Sequence, residues 1–261
     1  MSKRDWFYRI GALCAAFLFL LIWVIDPVFS NDETTQLLYR SVVFRGFGSI
    51  VFLFVLLYLG YRVMHRPRWA DLAVVLPSLA VAVNNFPILG FLGGTVWTER
   101  TDLIWLYAVD CFLIGAFEEL AFRGVFLPAL LEKRRDSKKH VLWTVIGSSA
   151  VFGLIHLVNL LEGAGIGATV LQVGYSFLIG GMCAIVLMKT GNLLYCIVLH
   201  AVYDFGGRWM TVGGGLLWDV PTVILTVVLA VIVTAWMLIV FFRIDTKDAD
   251  QLIKLTKGEI V

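Results

Sequence analysis

Residues 102–131 read DLIWLYAVDCFLIGAFEELAFRGVFLPALL. The stretch is apolar enough to enter a bilayer, yet too long and too polar to be a simple span. It holds Asp110, Glu118, Glu119 and Arg123, and runs into the basic cluster Lys133-Arg134-Arg135-Asp136-Ser137-Lys138-Lys139. An ionisable group at the bilayer centre costs at least about 2.5–3.5 kcal/mol, so such groups face a protein interior or a wet cavity. Other helices must therefore surround this one.

The rest of the chain supplies them. Hydrophobic residues make up 60% of the 261 and charged residues 15%, against about a quarter charged in ordinary soluble domains. At about 20 apolar residues per spanning helix, that is material for about eight spans, with little left for a water-soluble domain. The expected fold is all-α: one polytopic membrane domain over residues 1–261, a bundle of about eight transmembrane helices around an intramembrane polar cavity. The net charge of +2 says little. Basic residues form short clusters between apolar runs rather than a basic face, which argues against nucleic-acid binding. Cys14, Cys111, Cys183 and Cys196 lie inside apolar segments without CxxC spacing, and read as buried thiols rather than disulfides or zinc ligands.

Spans are expected at about Ile10–Ile25, Ser41–Tyr61, Trp69–Leu89 (broken by Pro77 and Pro87), Asp102–Leu131, Val141–Leu161, Ala168–Met188, Leu193–Met210 and Pro221–Phe242. The first resembles the start of a signal peptide, but no small-residue cleavage site follows and Asp26-Pro27 ends it, so it reads as uncleaved. Placing the N-terminus in the cytoplasm gathers Arg62–Arg68, Lys133–Lys139, Lys189 and the charged tail on one side. Asp26, Asp32, Glu33, Glu99, Glu162 and Asp219 fall on the other. Both termini are then cytoplasmic, and no internal repeat suggests an inverted-repeat transporter.

Depth brings the buried charges together. At 1.5 Å per residue, Glu118 lies roughly 22 Å from Lys133, His156 roughly 24 Å from His140, and His200 and Asp204 roughly 13 and 20 Å from Gly191. All fall in the middle of a bilayer. Glu119 and Arg123, Phe152 and His156, and His200 and Asp204 are each four apart, on one helix face. An intrahelical pair such as Glu119–Arg123 neutralises itself and serves equally well as glue between helices. Two histidines and a second carboxylate exceed what packing needs, and a His-Glu-His arrangement holds a water well. Blander expectations attach to other residues. Asp110, two turns outward from Glu118, reads equally as facing the cavity and as a solvated mouth residue, Arg45 as a snorkelling one, Asn84-Asn85 as satisfying a broken helix, and Gly180-Gly181 and Gly206-Gly207 as close-packing points. His65 and His140 read as solvated.

Glu118-Glu119-x-x-x-Arg123, Phe152-x-x-x-His156 and His200-x-x-x-Asp204 resemble, in order, the three motifs of the CAAX protease and bacteriocin-processing (CPBP) family, which includes the type II CAAX prenyl endopeptidases and the Abi proteins. The resemblance covers about residues 100–210. It implies an intramembrane glutamic endopeptidase with an eight-helix core, needing no metal and no cofactor. By it, Glu118 is the general base that activates a water and His156 holds that water. His200 and Asp204 stabilise the oxyanion, while Glu119, Arg123 and Phe152 support the site. The implied partners are a membrane-embedded or lipidated peptide or protein substrate and the bilayer itself, with the chain in a bacterial plasma membrane. One position departs: the eukaryotic prenyl endopeptidases carry Asn where this chain has Asp204. An ionised Asp cannot donate to an oxyanion, so Asp204 must stay protonated or act by orienting His200, and a prenylated substrate is less secure. A non-catalytic bacteriocin-immunity or maturation partner is the alternative. A zinc peptidase using Glu118, His156, His200 and Asp204 lacks an HExxH motif, and a proton-coupled transporter lacks the repeat.

Overall fold

The computed structural model describes residues 3–25, 27–94, 97–161, 163–213 and 220–259. Asp26, Glu162 and Asp219 lie outside the described residues. The described chain is helical with no strand. Its elements are α1 (Lys3–Ile25), α2 (Glu33–Leu59), α3 (Leu72–Asn84), the short α4 (Ile88–Leu92), α5 (Ile104–Glu119), a π-helical turn (Leu120–Phe126), α6 (Leu127–Lys133), α7 (Lys138–Leu154), a 3-10 extension (Ile155–Leu160), α8 (Ile166–Thr190), α9 (Leu193–Gly207), α10 (Val220–Arg243) and α11 (Thr246–Lys257). Four of these runs are long and apolar enough to cross a membrane: Glu33–Leu59, Lys138–Leu160, Ile166–Thr190 and Val223–Arg243. Shorter apolar helices cover Tyr8–Leu21, Trp69–Asn84 and Leu193–Gly207. The continuous run α5–π–α6 is the charged segment that is too polar to qualify. The protein is an all-α integral membrane protein, and each expected span has a helical counterpart.

Local chemistry sets the boundaries. Asp32 caps α2, its Oδ2 accepting from Thr35 N at 2.8 Å, and Gly60 ends that helix at φ +73°, a left-handed conformation glycine adopts without a Cβ penalty. Asn192 caps α9 by accepting from Leu194 N at 3.0 Å. Pro77 sits inside α3, and Pro87 starts α4 instead of extending the break. Asn84 donates to Thr226 Oγ1 at 2.7 Å and Asn85 to the Tyr203 carbonyl at 2.8 Å, so both tie the interrupted span to its neighbours.

α5 lies at the centre, packed on both α2 and α9; α7 packs on α8, and α1 on the outside of α2. α8 is among the most buried helices, whereas α10 leaves Val223, Val227, Val231 and Ile232 exposed. Lipid covers such faces in a bilayer. Cys111, Cys183 and Cys196 are buried thiols, but Cys14 is exposed on α1. Its apolar surroundings are lipid-facing rather than core, a distinction that hydrophobicity alone does not make.

The tail is more than a charged extension. α11 is amphipathic, burying Ala249, Leu252, Ile253, Leu255 and Thr256, and clasps the basic end of the bundle. Lys189 Nζ meets Asp248 at 2.8 Å, Arg135 meets Asp250 at 2.7 Å, and Lys257 meets Glu132 at 2.6 Å. At the opposite end Arg100 bridges Asp32 at 3.1 Å and Asp102 at 3.3 Å.

Candidate functional site

The site forms where α5, α7 and α9 converge, and small residues let them do so. A Cβ on Gly115 of α5 would stand 2.9 Å from the Ile197 carbonyl oxygen and 3.2 Å from Ala201 N, both α9 backbone. A Cβ on Gly153 of α7 would stand 2.8 Å from the Val173 carbonyl oxygen of α8. Gly180 leaves room for the Arg123 guanidinium and the Phe152 ring, and Gly206 for the backbone at Asn85-Phe86. Gly207 is crowded by the Asn85 side chain, while Gly181 has only an ordinary contact with Ser149. Of the four expected close-packing glycines, Gly181 is therefore the exception.

Glu118 and Glu119 end α5, directly before the π-helical turn that holds Arg123. Such turns within α-helices are frequent at functional sites because they re-aim side chains. Here the two glutamates part. Glu119 is fully buried, and its Oε1 accepts from Arg123 Nη1 at 3.2 Å and from His200 Nδ1 at 2.8 Å. Glu118 keeps 19% of its side chain exposed, with Oε2 3.7 Å from His200 Nε2. Asp204, 15% exposed, places Oδ2 3.8 Å from the same nitrogen. One carboxylate is a brace; the other two face the accessible side of His200.

Phe152 joins the third helix. Its ring meets the His156 ring edge-on at 5.4 Å between centroids and the His200 ring edge-on at 6.0 Å. The Arg123 guanidinium lies 4.2 Å from its centroid, and this cation–π contact compensates for Nε and Nη2, which have no hydrogen-bond partner. His156 lies in the 3-10 extension, and its Nδ1 donates to the Phe152 carbonyl at 3.0 Å. A carbonyl only accepts, so Nδ1 carries the proton in this bond and Nε2 is the nitrogen left to face the site.

A second polar cluster lies one to two turns outward. Asp110 is fully buried, not a solvated mouth residue: Arg208 Nη1 donates to its Oδ2 at 2.8 Å, and the Ser41 hydroxyl donates to its Oδ1. Arg45 donates from Nη1 to Ser41 Oγ at 2.6 Å rather than snorkelling to a membrane surface. Tyr107 donates to the Phe205 carbonyl at 2.6 Å. The signal for this cluster was the ladder His200–Asp204–Arg208, whose third rung extends the motif along one face of α9.

Among the described residues, the donors close enough to share a cation are Glu119, Cys183 and Cys196, all buried, with ligand atoms within 4.8 Å of one another. Glu118, His156, His200 and Asp204 do not form such a group. A cavity of about 330 Å³ lies between α3, α7, α8, α9 and α10. Its lining is mostly apolar, and it borders the site through Tyr175 and Tyr203 instead of enclosing the charged groups. Glu118, His156, His200 and Asp204 are not among the residues that line it.

Residues 100–206 match the family described as Type II CAAX prenyl endopeptidase Rce1-like, in agreement with the resemblance carried by the three motifs. No curated protein and no solved structure matches the chain.

Proposed function

We propose that this protein, whose residues 100–206 belong to the Rce1-like family of type II CAAX prenyl endopeptidases, is an intramembrane endopeptidase using Glu118 as its general base. The substrate is a membrane-embedded or lipidated peptide or protein. The observation that carries the reading is the division of labour around His200. Nδ1 is held by a buried, braced glutamate, while Nε2 faces the two carboxylates that remain accessible.

These roles make up a balanced hydrolysis. A water gives one hydrogen bond to Glu118 and the other to His156 Nε2, leaving an oxygen lone pair for the scissile carbonyl carbon. Glu118 takes one proton as the new C–O bond forms and the carbonyl electron pair moves onto oxygen. His200 donates from Nε2 to that oxyanion, with Asp204 orienting or proton-supporting the ring. When the C–N bond breaks, the proton on Glu118 passes to the leaving amine, giving a carboxylic acid and an amine. Glu119 and Arg123 hold His200 and never meet the substrate.

The catalytic core is residues 100–210 of a single membrane domain. The chain sits in a bacterial plasma membrane with both termini and the α11 clasp on the cytoplasmic side, following the positive-inside bias. The test compares membrane peptides from cells with the native gene, without it, and with Glu118→Ala. Glu118→Ala, His156→Ala and His200→Ala should each abolish processing while the protein still inserts. Normal processing by all three variants overturns the reading.

A further inference from the structure

Three cations meet at the basic end of the bundle, each where a helix reaches the membrane surface. Arg243 is the last residue of α10 and Lys189 the last but one of α8, and both helices are long and apolar enough to span. Arg68 directly precedes the helical turn Trp69–Asp71 that leads into α3. With Asp71, Trp236 and Gln251 they line a cavity of about 480 Å³, whose remaining walls are alanine and valine side chains.

The charges of this cavity do not cancel. Asp71 is buried and accepts from Arg68 Nε at 3.2 Å, from Arg68 Nη2 at 3.1 Å and from Arg68 N at 2.9 Å. Arg68 Nη2 also reaches the Lys189 carbonyl at 3.0 Å, which holds these two residues side by side. Lys189 Nζ meets Asp248 at 2.8 Å. Arg243 is exposed and makes no ion pair among the described residues. Three cations thus face two carboxylates, which leaves one positive charge and the donors of Arg243 unspent. Asp245, the next carboxylate along, is taken by the first turn of α11 and has Lys247 beside it.

The apolar half of the cavity says what kind of anion fits. Trp236 Nε1 donates to the Ala73 carbonyl at 3.0 Å, which fixes the indole between α10 and α3. It lies roughly 10 Å from Arg243 along α10, the step from a headgroup phosphate to the upper part of its acyl chains. Ile232, Trp236, Ile239 and Arg243 share one face of α10 by their spacing, and the first three are exposed. Trp69, almost fully exposed at the start of α3, marks the same interface. We infer that this cavity binds the headgroup of an anionic phospholipid, its phosphate between Arg243, Arg68 and Lys189 and its chains along the Trp236 face of α10. Basic pockets between helix ends hold anionic headgroups in this way, and the single spare positive charge matches one phosphodiester. A lipid seated there ties the peripheral α10 to α3 and α11, whatever the chemistry at Glu118.

The test follows thermal unfolding of the purified protein in a non-ionic detergent, titrated with phosphatidylglycerol, with phosphatidylcholine of the same chains, or with free glycerol phosphate. Phosphatidylglycerol should raise the unfolding temperature to a plateau, and the other two should not at the same concentrations. Arg243→Gln removes no ion pair and should fold, yet weaken the apparent affinity about fivefold or more, the worth of one arginine beside an anionic headgroup. Arg243→Lys should lose only part of that. Lys139→Gln removes the same charge from the first turn of α7, outside the cavity, and should bind as the native protein does. Equal loss in Arg243→Gln and Lys139→Gln would assign the effect to a diffuse basic surface and overturn the inference. An equal rise with phosphatidylcholine, or with glycerol phosphate, overturns it as well, the first by removing charge selection and the second by removing the lipid.

Discussion

His200 divides its ring nitrogens between two carboxylates: Nδ1 donates to Glu119 Oε1 at 2.8 Å, while Nε2 stands 3.7 Å from Glu118 Oε2. Adjacent glutamates in the chain thereby acquire opposite surroundings, one fully buried and charge-paired, the other partly exposed. Their substitutions should separate accordingly. Glu119→Gln leaves Arg123 buried without a counter-charge, and breaking such a pair costs about 3–5 kcal/mol. Glu118→Gln breaks no hydrogen bond to the brace and should unfold close to the native temperature, while turnover falls about 10²–10⁴-fold. Thermal unfolding in detergent beside a peptide-cleavage assay checks both. Equal destabilisation by the two changes would contradict the division.

The Asp110–Arg208 pair ties α5 to α9 independently of the site motifs. Asp110 is fully buried, whereas Arg208 is 33% exposed, so solvent screens part of the attraction. A double-mutant cycle with Asp110→Asn and Arg208→Gln should give a coupling of about 1 kcal/mol, within the range for residues in contact. Additive losses would mean that the pair does not hold the helices together.

The bundle was legible because membrane spans announce themselves by length and apolarity, and the site because i, i+4 pairs of ionisable residues recur at one depth. The rest was hidden for physical reasons. Arg45 departs from the snorkelling expectation, and Asp110 was left open between an inward-facing and a solvated place, because distance from a helix end does not reveal which neighbour a side chain faces; only the Ser41–Asp110–Arg208 chain of contacts does. Cys14 was misread because lipid-facing and core positions share one hydropathy. The clasp helix was overlooked among charges, although Asp245 and Asp248 form a capping box and Ala249, Leu252, Ile253 and Thr256 keep a helical period. The π-helical turn left no signal in spacing, since Glu119 and Arg123 are four apart in either geometry.

Gly115 fixes how closely α5 approaches α9. Because the atoms its Cβ would meet are Ile197 O and Ala201 N, neither can swing aside as a side chain would. Gly115→Ala should therefore force the helices apart, at about 1–3 kcal/mol, and impair cleavage by moving His200 from Glu118. Gly147 on α7 has nothing within 4 Å of its Cβ position. Gly147→Ala should be neutral or stabilising by up to about 1 kcal/mol through helix propensity alone. Unfolding temperatures of the two variants provide the comparison, and a Gly115→Ala protein as stable as Gly147→Ala would refute the close-approach argument.

The clasp should open in acid, and the cause can be isolated at Asp245. Its Oδ1 accepts from Lys247 N at 2.8 Å and Asp248 N at 3.2 Å, and the Asp248 carboxylate accepts from Asp245 N at 3.0 Å. The bond from the Asp248 backbone is the main reason that the Asp245 carboxyl is held below its ordinary value of 3.8, with Lys247 and Lys189 adding to it. A lowered folded-state pKa contributes stability that is fully present above 3.8 and lost as pH falls through the folded value. Amide-exchange protection factors across α11 should accordingly drop over that acid window. The pairs of Asp248, Asp250 and Glu132 with Lys189, Arg135 and Lys257 also hold α11 by charge, so native protein alone does not isolate the cap. Asp245→Asn keeps a good capping side chain without a titrating group. It should lose less protection than the native chain between neutral and acid pH, and identical losses in the two proteins would assign the opening to the salt bridges instead.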